Sequence, residues 1–177
     1  MIKESAIERL IPHRVGVVLA LLTLAFGFGL GGAFGAREDA MKAGLRADAE
    51  KVLDAVYGGD HTAMTKVTDK AWVYYKRAHL HANGLGATSL ALILLLAALP
   101  AADRIRTAVS TGLGAGALGY SIFWLLAGMR APGLGSTGAA KETLQWLAIP
   151  SSGLCLIGLL AVLVVAVRAL FLQRDAP

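Results

Sequence analysis

Two histidines one residue apart are the side chains in this sequence that point most directly to chemistry. His79 and His81 lie in YYKRAHLHANGLG, residues 74–86, where a charged segment passes into a long apolar run. Neutral imidazole is a good ligand for haem iron and for copper. An ionisable group at membrane depth is costly and indicates function by default. This stretch is therefore the candidate site.

Helical spacing separates the two imidazoles. If the second apolar run is a regular helix, His79, Asn83 and Gly86 share one face, and His81 points away from it together with Leu85. From such a helix the two histidines do not bind one ion together, whereas a frayed helix start would allow it. The residues beside His79 are small and polar, which leaves room for a flat ligand.

The composition decides which solvent surrounds this site. The chain has 177 residues, of which 56% are hydrophobic and 16% charged, with a mean hydropathy of +0.61. A membrane-spanning helix needs roughly 20 apolar residues, and four such runs occur, at about 15–36, 79–100, 107–129 and 144–171. The sequence predicts an all-α membrane protein, with residues 1–177 forming a single bundle of four transmembrane helices in the lipid bilayer. The net charge of +5 does not indicate nucleic acid as a partner.

A charged segment, residues 37–76, separates the first two runs and is expected to lie outside the membrane. Apolar residues at helical spacing predict a cap helix in it: Met41, Leu45, Val52, Leu53 and Val56. A second helix is expected to begin near Asp60 and to continue into the second span. Four spans place both termini on one side of a bacterial cytoplasmic (inner) membrane, as a multi-pass protein. The Lys and Arg residues, seven on the terminal side and ten on the other, leave the orientation open.

Glycines in the first and third spans recur every four residues. Gly27, Gly31 and Gly35 follow this spacing, and so do Gly112 and Gly116. Small residues at this spacing let helix backbones approach closely in lipid. We expect tight packing of both spans, inside the bundle or between copies of the chain.

Four stretches carry a resemblance to a known family. RAHLHANGLG enters the second span and ATSLALILLLAALP continues it, GAGALGYSIFWLLAGMRAPGLG ends the third, and GAAKETLQWLAIP enters the fourth. In these stretches, and in length and span order over nearly the whole chain, the sequence resembles the small four-helix membrane isomerases that include styrene oxide isomerase and hydroxylaminobenzene mutase. The sharpest features are Arg-Ala-His at the second span, a Gly seven residues later, and Leu-Ala-x-Pro in the fourth span.

The resemblance implies a homotrimer or other homo-oligomer that holds ferric haem b, with His79 as the axial ligand of the iron. In the epoxide isomerases of this type the iron acts as a Lewis acid on the substrate oxygen, the ring opens, and a 1,2-shift gives a carbonyl product. His81 and Gly86 would lie beside the haem, and Phe123 and Trp124 would form the pocket wall.

The chain departs from the family at several positions. Leu85 stands where the family has an Asn, and polar or phenolic positions of the third span fall on Ala115, Gly119 and Phe123. If the isomerase chemistry persists, Asn83 and Tyr120 are the residues expected to orient a small apolar substrate that enters from the bilayer.

Two other functions stay open at this point. The chain could be a non-enzymatic haem or copper protein, an electron carrier or an accessory or assembly subunit, in which His79 pairs with His81, His61 or an oligomer mate. His61 and Met64 are one helical turn apart, a spacing also found in copper pairs. A further alternative is a packing or assembly protein without a cofactor. Cys155, the single cysteine, excludes an internal disulfide.

Overall fold

The computed structural model describes residues 6–172, and this part of the chain is helical and contains no strand. The α-helices in chain order are α1 (Ala6–Leu10), α2 (Arg14–Glu50), α3 (Leu53–Tyr57), α4 (His61–Ala98), α5 (Asp103–Leu134), α6 (Thr137–Glu142) and α7 (Gln145–Val167). A 3-10 turn, Ile11–His13, joins α1 to α2, and a π-helical turn, Arg168–Leu172, follows α7. Four helices, those of α2, α4, α5 and α7, are long and apolar enough to cross a membrane. The predicted all-α four-helix bundle is confirmed.

Helix α5 is the centre of the bundle. It packs against α2, α4 and α7, and half of its apolar window is buried, compared with 11% for α7. The same window of α5 has the lowest mean hydropathy of the four, 1.4, and that of α7 the highest, 2.8. This order is expected in lipid, because contacts between helices depend on close packing of small residues and the most apolar helix can face the acyl chains.

The helices extend beyond the apolar runs. Helix α2 continues past the expected end of the first span to Glu50, with a break in helical geometry at Arg37, where φ is −143° and ψ is 23°. The helix predicted after Arg37 is therefore present as an extension of α2. Leu45 on its predicted apolar face is buried, whereas Val56, also assigned to that face, is exposed. Helix α4 begins where expected, because the Asp60 carboxylate accepts hydrogen bonds from the first-turn backbone amides.

The extramembrane turn between α2 and α4 is fastened to the end of α5. The Tyr57 hydroxyl, at the end of α3, donates a hydrogen bond of 2.6 Å to the carbonyl of Pro132. Burial raises the pKa of the Tyr57 hydroxyl, so this group stays protonated as a donor. Gly58 and Gly59, both with positive φ, then turn the chain toward α4.

The predicted close packing is confirmed at some of the glycines and not at others. A Cβ at Gly27, Gly31 or Gly116 would lie within 2.7–2.8 Å of an atom on a neighbouring helix. At Gly35 a Cβ would meet nothing within 4 Å, and at Gly112 it would make only an ordinary contact of 3.5 Å. Gly27 and Gly31 pack against α4, while Gly116 packs against α7.

Candidate functional site

The His79 side chain is half-buried on α4 and faces α2. Its Nδ1 lies 2.8 Å from the backbone carbonyl oxygen of Gly27. A carbonyl oxygen only accepts, so Nδ1 carries the proton of the neutral ring and donates it. Nε2 is therefore unprotonated and keeps its lone pair. Neutral imidazole binds a metal through such an unprotonated nitrogen.

Glycines on α2 make room for the imidazole of His79. A Cβ at Gly31 would lie 2.8 Å from Cε1 of His79, so a residue larger than glycine would displace the ring. Phe34 contacts the ring edge to face, with 5.7 Å between centroids. One turn after Gly31, the space around Gly35 is open. The His79 ring is thus held between glycine and phenylalanine beside an unfilled surface of α2.

Asn83 lies one turn further along α4 and belongs to the same cluster. Its amide nitrogen donates to the His79 carbonyl at 3.1 Å and lies 3.2 Å from Nδ1 and 3.5 Å from Nε2 of the His79 ring. Its Oδ1 atom is buried without a hydrogen-bond partner, and a Cβ at Gly27 would stand 2.7 Å from it. An unpaired buried acceptor costs about 1–3 kcal/mol, and such atoms concentrate where a ligand or a functional constraint explains them.

A second cluster lies on the other side of α4, against α5. His81 Nδ1 donates to the carbonyl of Arg77 at 2.8 Å, and the ring contacts Tyr120 and Trp124 with centroids 5.2 and 5.8 Å apart. Phe123 stacks on Tyr120 at 5.7 Å. The Arg77 guanidinium lies 4.8 Å from the Trp124 ring centroid, and the indole nitrogen of Trp124 is buried without a partner. This cluster is aromatic and cationic, in contrast to the polar, glycine-lined surroundings of His79.

The structure therefore divides the predicted site residues into two groups. His79 and Asn83 pack against α2, and Gly86 continues that face, where its Cα approaches Leu24. The remaining predicted residues belong to the second cluster: His81, Tyr120, Phe123 and Trp124. Helix α4 is regular through both histidines, so the expectation that they do not bind one ion together agrees with the geometry. Within one chain, Asn83 and Tyr120 do not lie in the same cluster.

His61 does not converge with the other histidines in one chain. It is the first residue of α4 and is exposed. Eighteen residues of continuous helix separate it from His79, which corresponds to about 27 Å along the axis. Among residues 6–172 there is no group of three His, Cys, Asp or Glu side chains placed to hold a metal ion.

His13 is a buried polar residue that its position in the sequence did not single out. It is fully buried where the 3-10 turn meets α5, and its Nδ1 lies 2.6 Å from the Ser110 hydroxyl. Its Nε2 is buried without a partner. A histidine following proline just before an apolar run looks like an ordinary interfacial residue, so only the fold shows that it joins α2 to α5.

In comparisons with protein-family models, curated proteins and solved structures, no match to this chain was found. The resemblance to the membrane isomerases rests on the four sequence stretches alone.

Proposed function

We propose that this chain is a multi-pass protein of the bacterial cytoplasmic membrane that binds haem b, and that His79 Nε2 would hold the haem iron. The observation that carries the proposal is the hydrogen bond from His79 Nδ1 to the Gly27 carbonyl. Metal-ligating histidines almost always donate their other ring N–H to a carbonyl, a carboxylate or water, which fixes the tautomer and raises the basicity of the ligating nitrogen.

The surroundings of His79 suit a haem better than a bare ion. A protein can hold haem iron through a single proximal histidine, because the porphyrin supplies the other nitrogen ligands. Phe34 provides an apolar contact next to the ring, and the α2 surface beyond it carries no side chain at Gly35. These are the features expected beside a flat, mainly apolar cofactor.

For the activity we propose rearrangement of a small apolar epoxide, or a similar molecule, drawn from the bilayer. When bound, ferric haem supplies a Lewis acid for the substrate oxygen. Asn83 holds the His79 rotamer, since its amide contacts both the His79 carbonyl and the ring. The site lies where the apolar part of α4 begins, within reach of a small apolar substrate dissolved in the bilayer. Only Asn83, of the two residues expected to orient the substrate, lies beside His79 in one chain.

The experiment that tests this function is an absorption spectrum of the detergent-purified protein, ferric and then dithionite-reduced. We expect a Soret band close to one haem per chain, with the high-spin signature of an iron that keeps one coordination position open. A low-spin spectrum with two histidine ligands would contradict the isomerase and favour the electron carrier. If no Soret band stays with the protein after haem is added and unbound haem is removed, haem binding is excluded.

Replacing Gly31 by alanine should weaken haem binding, because the new Cβ would lie 2.8 Å from His79 Cε1 and push the ring away from the Gly27 carbonyl. Loss of such an outer hydrogen bond costs roughly 10–100-fold in metal affinity. Gly32→Ala is the matched control, since a Cβ there meets nothing within 4 Å. Haem titration of both variants measures the difference, and equal affinities would remove the role assigned to this packing.

A further inference from the structure

A cleft between α4, α5 and α7 is not used by the proposed function. Its volume is about 350 Å³, within the range of roughly 300–1,000 Å³ in which ligand pockets fall. Five leucines from the three helices contribute to its lining, while His81 and Tyr120 contribute aromatic and polar groups. The cleft lies on the opposite side of α4 from His79 and does not depend on haem binding.

The cleft is long and narrow. Along α4 its lining residues run from His81 to Leu92, a distance of about 16 Å. A single hydrocarbon chain can lie along this length between the leucines of α4 and α7.

The cleft is polar at the end near the membrane interface and apolar at the end deeper in the bilayer. His81 lies at the beginning of the apolar part of α4, about two and a half turns after Trp72, at the level where aromatic residues commonly mark the interface. Leu92 and Leu159 lie deeper in the apolar parts of their helices. A lipid-like molecule with its head at the interface and its tail toward the bilayer centre has this polarity.

The unused hydrogen-bonding atoms of His81 and Tyr120, at the polar end of the cleft, indicate which head group a lipid-like ligand would have. The His81 ring donates from Nδ1 to the Arg77 carbonyl, so Nε2 is an acceptor. Within residues 6–172, His81 Nε2 and the Tyr120 hydroxyl take part in no hydrogen bond. A carboxylic acid complements them, because its O–H can donate to Nε2 while its carbonyl accepts from Tyr120.

We propose that this cleft binds a single-chain fatty acid from the surrounding bilayer, with its carboxyl group between His81 and Tyr120. Leu85 and Thr88 line the cleft beyond His81 and contact the first part of the chain. The tail lies between α4 and α7, toward Leu92 and Leu159. The rim residues Leu156 and Leu159 are exposed, so the acid can enter sideways from lipid.

The test uses the full chain with Trp72→Phe and Trp146→Phe, which leaves Trp124 as the single tryptophan. Trp124 contacts His81, so its fluorescence reports on the polar end of the cleft. The probes are 4,5-dibromododecanoic acid and 11,12-dibromododecanoic acid, in which bromine quenches at different depths. We expect stronger quenching by the 4,5-dibromo acid. Equal quenching by both acids would overturn the proposed orientation.

Two cleft variants and one alcohol complete the test. Thr88→Phe should lower quenching at least fivefold by filling the cleft, whereas Thr107→Phe, at an exposed position outside it, should not. Tyr120→Phe keeps the ring and removes the hydroxyl, and should weaken binding about threefold or more. Unchanged quenching in Thr88→Phe would overturn the site. Displacement by dodecanol as effective as by dodecanoic acid would overturn the carboxylic head group. The Soret band should be the same in all these variants, which separates this result from the haem proposal.

Discussion

His79→Ala is expected to abolish the Soret band of the purified protein, while His81→Ala leaves the band in place. The two residues form a matched pair, because both are half-buried on α4 and both donate from Nδ1 to a backbone carbonyl. They differ in what surrounds them. His79 lies between Gly31 and Phe34 of α2, and His81 lies among aromatic side chains of α5.

Absorption spectra after addition of one equivalent of haem measure this difference, and thermal unfolding in the same detergent confirms that both variants are folded. Loss of the sole proximal ligand should reduce haem affinity by at least a hundredfold. A Soret band lost in His81→Ala and kept in His79→Ala would transfer the ligand role to His81. A band kept in both variants would falsify single-histidine ligation from α4.

Gly16→Leu is expected to destabilise the bundle much more than Gly29→Leu in the same helix. Gly16 is buried, and a Cβ there falls on the backbone carbonyl of Ser110 in α5. Gly114 reinforces this crossing, since its own Cβ would stand 2.7 Å from the Gly16 carbonyl oxygen. Overpacking typically costs about 1–3 kcal/mol, and a clash with backbone cannot be relieved by a change of rotamer, so we expect at least about 3 kcal/mol.

Gly29→Leu is the control for this substitution, because a Cβ at Gly29 meets nothing within 4 Å. Its effect should stay within about 0.5 kcal/mol, as for surface substitutions in general. The two proteins can be compared by the temperature at which the monodisperse size-exclusion peak is lost. Equal temperatures would show that α2 and α5 do not depend on this backbone contact.

The four spans were predictable because a single physical requirement, about 20 apolar residues per crossing, governs each of them. The ends of the helices were harder to predict from the sequence. The break at Arg37 coincides with the predicted end of the first span, but the extension of α2 to Glu50 depends on buried contacts such as those of Leu45. These contacts join residues far apart in sequence, and periodicity alone does not identify such partners.

The candidate site was also predictable only in part: contacts within one helix follow from spacing, and contacts between helices do not. Asn83 follows His79 by one helical turn, so their shared face can be read from spacing. The Gly27 carbonyl that fixes the His79 tautomer is 52 residues away, and the Ser110 hydroxyl that meets His13 is 97 residues away. The grouping of Tyr120 with His81 instead of Asn83 depends on the rotation of α5 about its axis, for which the sequence contains no local signal.

The contrast between α5 and α7 bears on how the chain enters a membrane during synthesis. Each emerging segment partitions into lipid according to its own hydropathy, and the α5 window, at 1.4, has the weakest preference of the four. Because α2 and α4 precede it, two of the three helices against which α5 packs are already inserted when it leaves the ribosome. Helix α7, at 2.8, has the strongest preference of its own for lipid and comes last. The order of synthesis thus provides the central helix with two of its three partners before it inserts.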